Sequence, residues 1–311
     1  MRGLFCADLH ARPDRPRCRT DGGKLISEAA AKRAWCKAQS ATIAEIVAIA
    51  NKKKVPLGII GDIFNTGHVP EELITMLLGY CLKVEKGTAI LSGNHDLIGH
   101  NFKNAKKSAI GILLAAKSLF SIDIGQLGCY AHFGTEIVNS EAEPDVLFLH
   151  TPVFESEKEI PPSMQAITAK DLLKEFPDKK WIITGDMHKG FHYEKNGRHV
   201  INCGCINKQR SVEKDYKPSV WFIDTTKGIV KRIYLTEDVS LIDDSYLLTE
   251  KERNNSLTAF AEAVTKGKKS KISLSFDDNV ENAIEENRES LDDAVIEMVH
   301  FLMNATAIDD K

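Results

Sequence analysis

The sequence feature that most constrains the fold is a polar turn directly after an apolar run. Residues 88–91 are Thr-Ala-Ile-Leu, which is typical of a short buried strand, and they lead through Ser92 into Gly93-Asn94-His95-Asp96. This turn offers an amide oxygen, an imidazole and a carboxylate on successive residues. Such groups can act as a neutral metal ligand, a proton donor and a group that orients the donor. Alone, a four-residue pattern is weak evidence for a functional site.

Four further apolar runs end in the same way. The runs at 3–7, 55–60, 145–149 and 180–184 lead into Asp8-Leu9-His10, Gly61-Asp62, His150 and Gly185-Asp186-Met187-His188. Ligands of open α/β sheets bind at the carboxyl ends of the strands, so we expect these side chains to converge there. The mixture of imidazole, carboxylate and amide oxygen suits Mn, Fe or Zn and contains too few oxygen ligands for a calcium cage.

The order of elements predicts an α/β fold. Strands alternate with predicted helices at 27–54, 70–84 and 101–119. The later part predicts two short strands within 120–133, a helix at 168–176 and closing strands at 199–203, 219–224 and 230–235. This strand-rich part suggests a second sheet packed on the first.

The composition changes after position 236. Residues 237–244 form the predicted boundary between a catalytic domain at 1–236 and an acidic accessory region at 245–311. Within the accessory region, helices are predicted at 249–264 and 279–304. We expect this region to serve as a helical appendage that either binds a partner or simply caps the core.

The overall composition limits the classes of partner and the cellular location that we expect. The 311 residues carry a net charge of -3, so overall charge gives no argument for nucleic-acid binding. The seven cysteines are odd in number and irregularly spaced, no apolar leader precedes the first strand, and no apolar run approaches the ~18 residues that a membrane span needs. We therefore expect a cytoplasmic protein with reduced thiols, in the host cytoplasm if the chain is phage-encoded.

The order of motifs across residues 1 to about 235 resembles the calcineurin-like metallophosphoesterase superfamily. The resemblance implies a four-layer α-β-β-α sandwich and two divalent metal ions. The expected metal is Mn²⁺, with Mg²⁺, Fe or Zn as alternatives. It implies one metal on Asp8, His10 and His188, the other on Asn94, His150 and Asp186, and a bridge through Asp62. His95 would protonate the leaving oxygen, and Asp96 would orient the His95 ring.

One position departs from the family pattern. The last motif is usually Gly-His-x-His, whereas this chain has Asp186 in place of the first histidine. A third carboxylate lowers the charge of a two-metal site, which favours harder Mn²⁺ or Mg²⁺ and weakens attraction for phosphate. Either Arg12, Arg15 and Arg17 restore a positive field for substrate, or their loop is merely solvated. Alternatively, Asp186 is not a ligand. In that case nearby His192 takes its place, or the site binds only one metal ion.

Within the superfamily, the layout is most similar to SbcD-type DNA exonucleases, including short phage forms. The match includes a partial Gly-Ser-Leu-x-Arg-Gln-type run at 204–209 and the strand pair at 218–234. It implies a nuclease of DNA repair or recombination, with exonuclease or endonuclease activity and an SMC-like ATPase as partner. A homodimer is a further expectation.

Two other classes remain open. A small-molecule phosphodiesterase or phosphatase, for example one acting on cyclic nucleotides, would use the same metal ligands. A degenerate family member could serve as a protein-binding scaffold, although the complete set of ligands argues against this. A basic channel beside the metals would favour the nuclease, and a closed pocket would favour the small-molecule enzyme.

Overall fold

The computed structural model describes residues 1–20, 27–116, 119–121, 129–131, 145–161, 166–236 and 241–242, together with positions 284, 288, 296 and 299. The strands are β1 (Arg2–Cys6), β2 (Arg19–Thr20), β3 (Leu57–Ile60), β4 (Thr88–Leu91), β5 (Leu119–Ser121), β6 (Cys129–Ala131), β7 (Val146–His150), β8 (Val153–Phe154), β9 (Ile167–Thr168), β10 (Trp181–Gly185), β11 (Phe191–Lys195), β12 (Arg198–Asn202), β13 (Ser219–Asp224), β14 (Ile229–Tyr234) and β15 (Leu241–Ile242). The helices are α1 (Glu28–Lys53), α2 (Glu71–Cys81), α3 (Ala109–Ala115) and α4 (Ala169–Glu175). By its internal packing the chain forms two compact units, Met1–Asp244 and Ser245–Lys311.

Two sheets form the centre of the first unit. The larger sheet has the order β14-β13-β1-β3-β4-β5, and the smaller has the order β11-β12-β10-β7-β6. Strands β1, β3, β4 and β5 run parallel to one another, as do β6, β7, β10 and β12. The antiparallel strands β13, β14 and β11 lie at the outer sides. Parallel strands need both faces covered, which accounts for their continuous apolar sequences.

Alternation along the strands divides the interior into three cores. In β1, Leu4 packs toward the helices α1–α3, whereas Phe5 packs between the two sheets. In β10, Trp181 and Ile183 enter the core between the sheets, and Ile182 packs against α4. Because successive side chains of a strand point to opposite faces, each sheet contributes to two cores. The layers are therefore helix, sheet, sheet and helix, as predicted.

Helix α1 begins and ends close to the predicted positions. The Ser27 side chain accepts a bond from the Ala30 amide at 3.2 Å, and Lys54 ends the helix with a left-handed φ of 53°. The buried face of the first turns includes Trp35 and Gln39, and the alanine positions 30, 34 and 38 are less buried. A bulky aromatic residue therefore sets the buried face here.

The helix predicted at 101–119 is much shorter in the structure. The chain forms 3-10 turns at Ile98–His100 and Phe102–Lys107 before α3 begins. The Asn101 side chain accepts from the Lys103 amide, and the Ser108 hydroxyl accepts from the Ile98 amide, both at 2.9 Å. These side chains compete with helical hydrogen bonding, so the prediction of one continuous helix was wrong.

The two short strands predicted within 120–133 are present as β5 and β6, but they belong to different sheets. The turn predicted between them lies outside the described residues. The predicted helix at 249–264 also falls outside them, and within the helix predicted at 279–304 only positions 284, 288, 296 and 299 are described. Among the residues that the structure does describe, no helix has the length and apolar character to cross a membrane.

Candidate metal centre

The structure brings the predicted ligands together at the carboxyl ends of parallel strands from both sheets. Contacts between the sheets close the group: the Asp186 amide donates to both carboxylate oxygens of Asp8 at 3.1 Å, and His150 Nδ1 donates to the Ile60 carbonyl at 2.9 Å. We call the following residues the metal centre: Asp8, His10, Asp62, Asn94, His150, Asp186 and His188.

One half of the metal centre joins Asp8, His10 and His188. Each offers a ligand atom within 4.8 Å of the others. Nε2 of His10 lies 3.0 Å from Nε2 of His188. The lone pairs of two neutral imidazoles can face each other at this distance when a cation lies between them.

The other half surrounds His150. Its Nε2 lies 3.3 Å from Asp62 Oδ2 and 3.7 Å from Asp186 Oδ1. Asp62 Oδ2 also lies 3.7 Å from His10 Nε2, so the Asp62 carboxylate reaches both halves. This is the position that a bridging ligand requires. Asp186, which replaces the usual histidine, is placed beside His150.

The polar atoms of the metal centre fit a divalent cation. The buried Asn94 Oδ1 and His150 Nε2 have no hydrogen-bond partner among the described residues. Because the His150 Nδ1 proton goes to the Ile60 carbonyl, neutral His150 presents a bare Nε2 lone pair to the Asp62 carboxylate. Two acceptors facing each other in a dry site require a positive charge between them. The residues present therefore suit the metal ions that the motifs predicted.

Burial and mutual attraction shift the ionisation of this site. Burial raises the pKa of Asp8 to about 7. Burial also opposes ionisation of Asp62, yet His150 and His10 hold the pKa of this carboxyl below its usual range. Burial disfavours the charged form of His150 as well, but Asp62 outweighs it and holds the imidazole pKa well above its usual value. Without metal, a proton on His150 balances the charge of Asp62.

Four residues of the metal centre have left-handed backbone conformations. The φ angles are 51° at Asp8, 43° at His10, 50° at Asp62 and 86° at Asp186. Such conformations cost about 1–3 kcal/mol each in a non-glycine residue and concentrate at functional sites. They turn the chain sharply after each strand, so that the side chains face one another.

Two glycines of the motifs are required by close approach. A Cβ atom at Gly61 would lie 2.0 Å from His150 Nδ1, and one at Gly93 would lie 2.1 Å from Asp62 Oδ1. Gly61 also has a φ of 80°. The glycines in Gly-Asp and Gly-Asn-His-Asp therefore leave room for the ligands.

His95 lies at the edge of the metal centre. Its ring packs edge-on against His10, with centroids 5.0 Å apart, and its amide donates to Asp62 Oδ1 at 3.0 Å. Nδ1 lies 3.0 Å from the Asn65 carbonyl, which can only accept, so this nitrogen carries the proton of the neutral ring. This contact fixes the ring plane of His95.

The expected role of Asp96 as the group that orients His95 was wrong. Both Asp96 oxygens accept backbone bonds, from Phe64 at 2.7 Å and from Gly93 at 2.8 Å. Asp96 is fully buried and ties the loop after β3 to the loop after β4. The Asp96 carboxylate therefore holds two loops together, and the Asn65 carbonyl orients the His95 ring.

Glu213 lies directly behind His188, a contact that the sequence reading missed. His188 Nδ1 donates to Glu213 Oε1 at 2.5 Å, while Oε2 accepts from the amides of Gln209 and Arg210 at 2.6 and 3.1 Å. Burial opposes its charge, but His188 holds the Glu213 pKa below its usual value. A carboxylate behind a ligating histidine fixes the tautomer and increases ligand basicity. No motif marks Glu213, because 25 residues separate it from His188.

Two of the three predicted arginines line a cleft whose wall includes no residue of the metal centre. Arg15 and Arg17 line a cleft of about 380 Å³ with Arg19 and Lys32, and Asp14 and Glu28 lie in the same lining. The neighbouring Arg12 is half-buried. Their role in substrate binding stays a prediction.

A different cleft, of about 250 Å³, adjoins the metal centre and includes His188 in its wall. Its cationic and aromatic lining residues are Lys189, Lys217, Arg232, Tyr216 and Tyr234. Arg232 lies over the rings of Trp221 and Tyr234, 5.3 and 5.1 Å from their centroids, and its Nε donates to Ser219 Oγ at 2.8 Å. We call this the His188 cleft.

Comparison with known proteins places the chain in a family. Residues 1–222 match the family model of the calcineurin-like phosphoesterases. The chain belongs to this family. It is therefore a metal-dependent phosphoesterase, and its family binds two metal ions. No curated protein sequence matches the chain with significance.

Solved structures are similar to the chain at low identity. One, described as a novel archaeal phosphodiesterase, is 14% identical, with 76% of this chain and 100% of that chain covered and a TM-score of 0.39. Another, the protein TT1561 of Thermus thermophilus, is 8% identical, with 75% of this chain and 99% of that chain covered and a TM-score of 0.43.

Proposed function

We propose that this phosphoesterase is a DNA nuclease of the SbcD type, which hydrolyses phosphodiester bonds with two Mn²⁺ ions. The observation that carries the proposal is the His188 cleft. It is open to solvent, shares His188 with the metal centre, and combines Lys217 and Arg232 with two tyrosines. Cations that bind phosphate and aromatic rings that stack on bases are the combination that single-stranded nucleic acid requires.

The distribution of charge supports a polyanionic substrate. The chain has a net charge of -3, yet exposed Lys103, Lys106 and Lys107 follow the Asn94–His95 turn closely in sequence. The intervening His100 is tied to this turn, since its Nδ1 lies 3.0 Å from the Asn94 carbonyl. Local positive charge on an acidic protein favours binding of an extended phosphate backbone at this end of the strands.

The side chains of the metal centre account for the chemistry. When bound, divalent cations stabilise the charge that develops on the phosphate oxygens and increase the acidity of water. The Asp62 carboxylate and its neighbours would hold the ions, and Glu213 fixes the orientation of His188. With Nδ1 bound to Asn65, His95 directs Nε2 toward substrate, where the protonated ring donates to the leaving oxygen.

The preference for Mn²⁺ rests on Asp186. With Asp8 and Asp62 it gives the metal centre three carboxylates, and oxygen-rich sites favour Mn²⁺ and Mg²⁺ over zinc. We expect Asp186→His to raise the affinity for Zn²⁺ relative to Mn²⁺ in metal-free protein. Unchanged metal content and affinity in this variant would contradict the role of Asp186.

The test of the nuclease is Mn²⁺-dependent cleavage of end-labelled single- and double-stranded DNA, with a bis-aryl phosphodiester in parallel. We expect DNA cleavage to be lost in His95→Ala. Arg232→Ala should weaken DNA cleavage while hydrolysis of the small diester is retained. Lys231→Ala is the matched control, because Lys231 lies on the same strand β14 and points to the opposite face.

Other outcomes identify the competing classes. Hydrolysis of the small diester without DNA cleavage would indicate a small-molecule phosphodiesterase. Inactivity on both substrates with bound Mn²⁺ would indicate a scaffold. The SMC-like ATPase partner and the homodimer stay predictions. The accessory region at 245–311, which either binds a partner or caps the core, is described only at single residues.

A further inference from the structure

A second cluster of potential metal ligands lies outside the metal centre, on the hairpin of β11 and β12. We propose that His192, Glu194 and His199 bind a transition-metal cation of the zinc class. We call these three residues the hairpin site. The proposal is independent of the nuclease assignment, because none of the three belongs to the metal centre or to the lining of the His188 cleft.

The register of the hairpin brings the three side chains to one face. Glu194 pairs directly with His199 across the antiparallel strands. His192 lies two residues before Glu194, and residues two apart in a strand share a face. The turn fixes this register: Asn196 and Gly197 both have left-handed φ angles, 54° and 71°, as a two-residue hairpin turn requires.

The ligand atoms of the two histidines lie near coordination spacing, and that of Glu194 lies slightly farther away. Nε2 of His192 is 3.1 Å from Nδ1 of His199, and this same nitrogen of His199 is 3.9 Å from Oε2 of Glu194. All three residues offer ligand atoms within 4.8 Å of one another. Ligands that share one tetrahedral Zn²⁺ at ~2.0–2.2 Å lie roughly 3.3 Å apart. Small movements of the exposed Glu194 would therefore complete a three-ligand set.

The two imidazoles are held in place by packing. His199 stacks on Trp181, with ring centroids 3.9 Å apart and planes 12° apart. His192 lies edge-on to Trp221, with 6.4 Å between centroids. Fixed rings lose little conformational freedom when they bind a cation, so this arrangement is preorganised.

The ionisation and exposure of the ligands also fit. Burial lowers the pKa of both His192 and His199, which favours the neutral form of the ring that a cation binds. The Glu194 side chain is 55% exposed and gives a route from solvent. Two imidazoles and one carboxylate form a set that zinc and related cations prefer over Mg²⁺ or Ca²⁺.

Occupancy would stabilise an exposed edge. Among the described residues, strand β11 is the last strand of the smaller sheet, and edge strands have only one neighbouring strand to hold them. A cation held by both strands would link β11 to β12 and oppose fraying of the hairpin. We therefore assign the hairpin site a structural role, separate from the hydrolytic reaction.

The test uses full-length protein freed of metal by chelation and titrated with Zn²⁺ in a calorimeter. We expect the wild type to bind one equivalent more than either Glu194→Gln or His192→Ala. Zn²⁺ should also raise the wild-type melting temperature more than that of the variants. Glu194→Gln is the decisive variant, because its exposed side chain is not needed for folding.

His68→Ala is the matched control, since His68 is exposed and has no place in either metal cluster. It should bind as many equivalents of Zn²⁺ as the wild type. Mn²⁺-dependent diester hydrolysis should be unchanged in Glu194→Gln. Equal Zn²⁺ stoichiometry and affinity in the wild type and both hairpin variants would overturn the proposal and leave a hydrogen bond between two histidines.

Discussion

The metal centre and the hairpin site assemble ligands in opposite ways. Most ligands of the metal centre stand on loops just beyond strands of two sheets, while His150 is the last residue of β7. Four of the ligands have left-handed backbone angles. The hairpin residues lie within regular strands and meet through cross-strand register. Loops after strands can direct many side chains to one point, with backbone strain as the cost. Residues within strands reach only their neighbours but need no strain.

The largest expected difference between the metal centre and the hairpin site is in the rate of diester hydrolysis. Asp62 contacts both halves of the metal centre, so Asp62→Asn should lower diester hydrolysis by ~10³-fold or more, equivalent to several kcal/mol of lost charge stabilisation. Steady-state kinetics at fixed Mn²⁺ measure this loss. The matched change at the hairpin, Glu194→Gln, should leave the rate unchanged. A comparable loss in both variants would break the distinction between the two sites.

The next largest effect is the loss of stability when a glycine with a left-handed backbone is replaced by alanine in each region. Gly61→Ala should lower the free energy of unfolding by at least ~3 kcal/mol, because it adds left-handed strain and overlaps the His150 ring. Gly197→Ala has similar strain at a φ of 71° but meets only open space, so we expect roughly 1–2 kcal/mol. Denaturant unfolding of both variants gives the comparison. Equal losses would show that the contact at Gly61 contributes nothing.

Metal binding should stabilise the fold through the metal centre. At a free Mn²⁺ concentration of 100 times Kd, the free energy of unfolding should rise by about 2.7 kcal/mol per occupied site. Asp62→Asn should abolish most of this gain, as judged by thermal unfolding with and without chelator. The hairpin site prefers softer cations, so Glu194→Gln should retain the gain from Mn²⁺. Loss of the gain in that variant would assign Mn²⁺ to the hairpin.

The smallest effect distinguishes supporting residues from ligands. Glu213→Gln should weaken metal affinity by about 10–100-fold, the usual cost of removing a carboxylate behind a ligating histidine. Glu157→Gln, at an exposed glutamate, is the control and should bind metal normally. Metal titration followed by calorimetry tests both. Unchanged affinity in Glu213→Gln would mean that its bonds to Gln209 and Arg210 serve only the local fold.

The parts of the site that could be predicted are those that follow strands directly. An apolar run followed by Gly-Asp or Gly-Asn-His-Asp indicates both the strand and the polar group at its end, so the positions of Asp62 and Asn94 just after β3 and β4 could be predicted without a structure. Glu213 could not be found in this way, since only folding brings its 3-10 turn beneath His188. The partner of His95 was also misassigned, because the nearest carboxylate in sequence is not the nearest acceptor in space.

By itself the sequence determined the α/β class, the alternating burial of the strands and the ligand types, because these depend on local periodicity and on residues adjacent in the chain. Only the tertiary structure decided which sheet each late strand joined and that His188 borders a cationic cleft. Those features depend on contacts between residues far apart in the chain, and the packing of two sheets against each other sets such contacts.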